Sequence, residues 1–302
     1  MHVKNLYIIL PAFIAALLFL SATFGIGAAG AQSSRFISAG RSVDGNLQST
    51  NWGGYVVASN QMALNDYNAA YAQPVVTQVN ASWTVQTAGS SHSSTYSAQW
   101  VGIGGFFSGD SSLIQTGTSS DYSHGASYYA WYELLPASEA VISMTVKPGD
   151  KMYASIQLVP GTTNEWTITI KDISENEAFS KVVIYNSSKL SGEYIEERPE
   201  LCTTRSCSLS TLTDFGTAYY GEGYTEIAAP ATNYATVGAV HSDIGGLPYT
   251  NITMVSNTGA ILAAPSLLQY SGTSFTMTYG SSSSTTTHSH AGGKKGPVVI
   301  VH

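Results

Sequence analysis

The 302-residue chain is short of charge: Asp, Glu, Lys and Arg make up 10% of it, against about 25% in ordinary soluble proteins. The formal net charge of −7 leaves no basic footprint for nucleic acid. With 12 Lys and Arg and 7 His, protonating every carboxylate yields at most about +19. That is a modest load where self-repulsion drives acid unfolding, so the composition permits an acidic setting. Only two cysteines occur, Cys202 and Cys207, which excludes a scaffold built on disulfides. Their spacing can close one short disulfide loop in an oxidising compartment, at little gain in chain entropy. No second Cys/His pair stands at zinc-like spacing beside them. Also missing are a Gly-x-Ser-x-Gly elbow, a His-Glu-x-x-His helix and the Asp-Thr/Ser-Gly loops of pepsin-like enzymes. His92, His124 and His241 could serve a serine nucleophile only if geometry brought a serine to them. His288 and His290 read as part of a solvated linker rather than a metal site.

What is present is glycine, serine, threonine and 19 tyrosines, arranged as short strand-like runs. Met152, Ala154, Ile156 and Leu158 alternate with less apolar neighbours, as do Trp166, Ile168 and Ile170, and Ile142, Met144 and Val146. Pro148-Gly149-Asp150 and Pro160-Gly161 separate such runs. A dozen or more candidate strands and no long amphipathic helix predict an all-β sandwich or barrel.

Four segments organise the chain. Lys4, the apolar stretch from Leu6 to Leu20 and the small residues Ala29-Gly30-Ala31 read as a signal peptide over residues 1–31. Cleavage after Ala31 makes the body a secreted protein without stable membrane insertion; an uncleaved anchor is the alternative. Residues 32–50 are polar, a flexible lead-in or short propeptide. The folded domain spans 51–280, and the Ser/Thr-rich, low-complexity composition of 281–302 predicts a disordered tail. Asn80, Asn186 and Asn251 head glycosylation sequons.

The chemistry-bearing stretch is Ser191-Gly192-Glu193-Tyr194-Ile195-Glu196-Glu197-Arg198. On a strand Glu193 and Glu197 share one face and Glu196 takes the other. Spacing suggests for Glu197 a local ion pair with Arg198 or support of the sheet. A glutamate alone is most often a solvated strand residue, and Gln115 says little by itself.

Joint order says more. Asn51-Trp52-Gly53-Gly54, Trp100-Val101-Gly102-Ile103-Gly104-Gly105, Ile114-Gln115-Thr116-Gly117, Ala130-Trp131-Tyr132-Glu133, Gly192-Glu193-Tyr194-Ile195-Glu196-Glu197 and Asp214-Phe215-Gly216-Thr217 follow one another along the chain. This succession resembles the glutamic peptidases, the eqolisin or G1 family, and is closest to their prokaryotic branch. Fungal members carry an Asp where this chain has Gly104, and another aligning near Ser119. The resemblance implies an antiparallel β-sandwich of two large packed sheets, of concanavalin A-like or jelly-roll type, acting as an endopeptidase at acidic pH. It further implies Glu193 as general base and Gln115 as oxyanion donor, with Trp52, Trp100 and Glu133 lining or supporting the cleft. The partners are polypeptide substrates, met by a monomer that needs no metal or other cofactor. Two rivals stay open: a lectin-like sandwich using Tyr and Trp as sugar platforms, and a glycosidase pairing Glu133 with Glu193.

Overall fold

The computed structural model describes residues 46–202, 206–227 and 233–280. The proposed signal, most of the lead-in and the tail with His288 and His290 lie outside the described residues. In chain order the strands begin with β1 (Asn46–Ser49), β2 (Trp52–Ala58), β3 (Val76–Thr84), β4 (Ala98–Ile103), β5 (Ile114–Tyr122), β6 (Ala126–Leu134) and β7 (Ala140–Ile142). Then come β8 (Lys151–Leu158), β9 (Glu165–Asp172), β10 (Glu177–Ile184), β11 (Ser191–Glu197), β12 (Glu200–Cys202) and β13 (Cys207–Leu209). The last are β14 (Thr217–Tyr220), β15 (Tyr234–Val237), β16 (Val240–Asp243), β17 (Tyr249–Val255), β18 (Ile261–Pro265) and β19 (Phe275–Tyr279). One short helix, α1 (Gln61–Asp66), follows β2, capped by the Asn60 side chain. Among the described residues no helix is long and apolar enough to cross a membrane.

The fold is the all-β sandwich that the alternation predicts. One layer runs β7-β6-β5-β4-β11-β2-β17, and the other β10-β9-β8-β3-β14-β19 with the β15–β16 hairpin beside β3. The expectation of two separate sheets needs refinement. β17 shifts register between Met254 and Val255 and passes its hydrogen bonds to β18, which pairs with β19. The irregularity bends the strand, so the layers are one 17-stranded sheet folded over on itself. The lead-in also ends earlier than its polar composition suggested. Residues 46–49 form β1, parallel to β17, with Leu47 fully buried.

Between the layers lies the larger core. Met152, Ala154 and Ile156 of β8 and Trp166, Ile168 and Ile170 of β9 are all fully buried in it, as their alternation requires. Tyr220 stacks on Phe275 at 4.5 Å, and the Trp83 indole donates to Thr118 Oγ1 across the layers at 2.9 Å. A second cluster covers the outer face of the first layer. There Leu64 of α1 and Phe106 and Phe107 of the β4–β5 loop join Val56, Trp100 and Trp131.

Two glycines make that outer face possible. A Cβ at Gly117 would lie 2.2 Å from the Gln99 carbonyl oxygen and 2.5 Å from Trp100 Cβ; one at Gly102 would lie 2.9 Å from the Trp100 ring. Gly117→Ala is therefore expected to cost about 1–3 kcal/mol through overpacking, read as a lower denaturant midpoint at unchanged m. Gly125→Ala, where an added Cβ meets nothing within 4 Å, should stay within about 0.5 kcal/mol of the parent.

Candidate active site

Antiparallel pairing sets side chains in transverse rows, and each row on one face can be read off the register. Across the outer face of the first layer Val56 (β2), Glu193 (β11), Gly102 (β4), Gln115 (β5) and Glu133 (β6) form one row. The next row holds Ile195, Trp100, Gly117 and Trp131, and the one after it Trp52, Glu197, Ala98, Ser119 and Tyr129. The sequence-derived residues Glu193, Gln115, Glu133, Trp52 and Trp100 thus all stand on a single face. Glycine at 102 leaves no side chain between Glu193 and Gln115, so the two can lean toward each other across it.

Gln115 Nε2 donates to Glu133 Oε2 at 2.6 Å. Glu193 is fully buried, and neither of its carboxylate oxygens has a hydrogen-bond partner. Burial pushes its pKa well above the usual carboxylate value, and the charge of Asp110 adds to the shift. The nearby Ser191 hydroxyl opposes the shift without forming a well-shaped hydrogen bond. A buried polar group without a partner is expensive and calls for a functional reason.

Glu197 supports the sheet, the second of its two expected roles: its carboxylate accepts from the Trp52 indole at 3.2 Å and the Trp100 indole at 2.7 Å. The two rings meet edge to face at 5.0 Å. Glu196 points inward, where Gln86 Nε2 donates to it at 2.8 Å and the Tyr220 hydroxyl at 3.3 Å. Burial raises its pKa well above the ordinary value, the hydrogen bonds from Gln86 and Tyr220 opposing.

Sequence reasoning missed Asp110. It sits in the β4–β5 loop, accepts from Gly105 N at 2.9 Å and Ser112 Oγ at 2.8 Å, and takes the Ser188 hydroxyl. It brings a carboxylate near Glu193, six positions after Gly104; a turn with no fixed spacing gave no signal. Gln86, which steadies Glu196, was missed for the same reason.

Other candidates separate from this face. His92, His124 and His241 are exposed, and His241 Nδ1 meets Thr236 Oγ1 at 2.8 Å. Cys202 and Cys207 are bonded to each other across the β12–β13 hairpin. Of the sequon asparagines, Asn80 and Asn251 are strand residues, and Asn80 is buried. Glu133 and Glu193 stand three strand spacings apart, about 14 Å along the sheet, with Gln115 between. The Gln115 side chain, bonded to Glu133, stands between the two carboxyls that the glycosidase reading would pair.

Known proteins share the family and the fold. The family model described as the peptidase A4 family matches residues 50–263. Scytalido-glutamic peptidase, solved with a transition state analog inhibitor, is similar at a TM-score of 0.58 and 21% identity, over 76% of this chain and 98% of that one. A member of the Eqolisin family in complex with the tripeptide Ala-Ile-His is similar at 0.55 and 20%, with the same coverage. These structures share the fold. No curated protein matches the chain significantly.

The buried acids carry a stability prediction. Glu196 holds its proton more tightly folded than unfolded, and burial also pushes Asp121 and half-buried Glu139 up to about 7. A raised folded pKa gives stability that is complete below the unfolded value and lost as pH rises through the folded one. Unfolding free energy should therefore fall between about pH 4 and pH 7 and beyond. Glu196→Gln, which keeps an acceptor for Gln86, should flatten the slope in denaturant titrations; a slope unchanged in the variant would remove Glu196 as its source.

Proposed function

The chain belongs to the peptidase A4 family, and on that premise we propose that Glu193 and Gln115 are its hydrolytic dyad, acting on polypeptides outside the cytoplasm. The observation that carries this reading is the row itself. A fully buried, unpartnered carboxyl and an amide oriented by Glu133 stand either side of a glycine.

Ionised Glu193 takes a proton from a water molecule as the water oxygen attacks the scissile carbonyl carbon. A positioned base of this kind contributes roughly 10²–10⁴-fold. The carbonyl oxygen becomes an oxyanion, to which the Gln115 amide donates; one such donor is worth about 10²–10³-fold. Glu193 then returns the proton to the departing nitrogen, the C–N bond breaks, and a carboxylic acid and an amine leave. Glu133 orients Gln115, and the Glu197 bridge between the two indoles holds the neighbouring rows in register. Asp110 disfavours the ionised form of Glu193 and so tunes the base.

Burial also sets the pH response. The base must be ionised, so kcat/KM should rise with pH through the Glu193 pKa. Because burial raises that pKa, the acid limb should lie above the ordinary 4.5, at the weakly acidic end rather than in strong acid. Asp110→Asn removes the like charge and should move the limb to lower pH, checked by the profile of kcat/KM on one fluorogenic peptide.

The dyad is tested by two variants. Glu193→Gln should lower turnover by roughly 10²–10⁴-fold with an unchanged circular dichroism spectrum. Gln115→Ala should lower kcat and kcat/KM together by about 10²–10³-fold, with KM nearly constant. Wild-type turnover in folded Glu193→Gln, or a change in KM alone for Gln115→Ala, would sink the assignment.

A further inference from the structure

The second layer has an outer face of its own, separated from the dyad by the whole inter-layer core. Val79, Ala154 and Ala235 of this layer and Val101 and Tyr194 of the other all lie in that core. Residues alternate with these, so Asn80, Ser155 and Tyr234 turn outward in one transverse row, and Gln78, Gln157 and Thr236 in the next. Two cavities open on these rows, of about 410 and 290 Å³, and they share Gln78 and Thr236 as walls. Together they make one groove across β15, β3 and β8.

Its lining is neutral and rich in hydrogen-bonding groups. Asn80, nearly buried, lines the first cavity, and its row neighbour Ser155 is nearly buried beside it. The Thr236 hydroxyl contacts Gln78 Oε1 at 3.3 Å and His241 Nδ1 at 2.8 Å. An amide oxygen only accepts, so the single hydroxyl proton goes to Gln78 and His241 Nδ1–H donates to the hydroxyl. This relay fixes the imidazole in its Nδ1–H tautomer and leaves Nε2 an acceptor. It also orients the Gln78 amide. Tyr234 stacks on His241 at 5.4 Å and 19°, and Tyr153 walls the first cavity.

No carboxylate lines either cavity, nor any arginine or lysine; the charges beside it are at its margins, Lys171 Nζ over the Tyr153 ring at 5.8 Å and Asp243 paired with Tyr234. Planar amides and hydroxyls that both donate and accept match vicinal hydroxyl pairs, while a flat ring pair suits the apolar face of a pyranose. From these observations we infer that the groove binds a neutral polysaccharide chain, independently of the peptidase dyad. A peptidase tethered this way would be concentrated where its protein substrates are embedded in glycan.

Affinity electrophoresis tests this. The protein is run through native gels containing soluble α- and β-glucans, mannan, galactomannan or xylan, with polygalacturonate as the charged comparison. Retardation is expected in at least one neutral gel and not in polygalacturonate. The Gln78→Ala/Gln157→Ala double variant should weaken it roughly tenfold, as two amide partners are lost. Thr236→Val, isosteric but without the relay hydroxyl, should weaken it too. Both variants should keep parental peptidase activity, which shows that they are folded. Free migration in every neutral gel, retardation equal in parent and active variants, or retention by polygalacturonate alone would each overturn the inference.

Discussion

A slip of one residue between β11 and its neighbours would carry Glu193 into the inter-layer core and bring Glu196 out among the indoles, because side chains alternate with period two. Everything on the outer face depends on that register being held, and it is held from both sides of β11. Outward, Glu197 receives two indole N–H groups, from residues 97 and 145 positions away. Inward, Glu196 receives Gln86 and Tyr220. A slipped strand would leave both carboxyls buried without partners, which costs far more than the hydrogen bonds themselves contribute. The two flanking glutamates thus position the third, which has no partner of its own.

The same burial that specifies the register sets the proton chemistry. Desolvation disfavours the charged form of a carboxyl, so both Glu193 and Glu196 hold their protons above the ordinary range. The two differ in what surrounds them. Glu196 accepts hydrogen bonds that oppose the effect of its burial, while Glu193 has the like charge of Asp110 nearby and no formed bond. One is stabilised where it is, and the other is poised to react. A perturbed carboxyl beside an oriented amide is the kind of contrast that marks functional sites.

Much of this was legible in the sequence. The alternation in β8 and β9 gave the core faces, and period two put Glu193 and Glu197 on one side and Glu196 on the other. What periodicity could not tell was that the outer face of the first layer is covered. Its cover comes from segments with weak sequence signals: a six-residue helix and the loop bearing Phe106 and Phe107. Nor could spacing find the partners of Glu197, which lie on β2 and β4, or the pairing of β1 with β17, whose partners are about 205 positions apart. The groove of the second layer was equally hidden. Gln78, Gln157 and Thr236 look like ordinary solvated strand residues until register sets them side by side.

That cover bears on how the proposed dyad meets a substrate. Gln115 and Glu193 are both at 0% exposure, and side chains that reach this face from outside the sheet include those of α1 and the β4–β5 loop, with Ala72 and Leu135 beside them. A helix of six residues has too few hydrogen bonds to persist alone, so α1 is held by Ala63 and Leu64 packing onto the face and by its Asn60 cap. The loop is held by Asp110, through backbone and hydroxyl bonds to Gly105, Ser112 and Ser188. If Glu193 is the base, a peptide would reach it only by displacing these segments, and its apparent affinity would fall by the fraction of molecules in which they are open. Displacement also lets water reach the carboxyl and lowers the pKa that burial had raised. On that reading, opening the site and ionising Glu193 would be one coupled step, and Asp110, which fastens the loop and disfavours the ionised form of Glu193, would stand on both sides of that coupling.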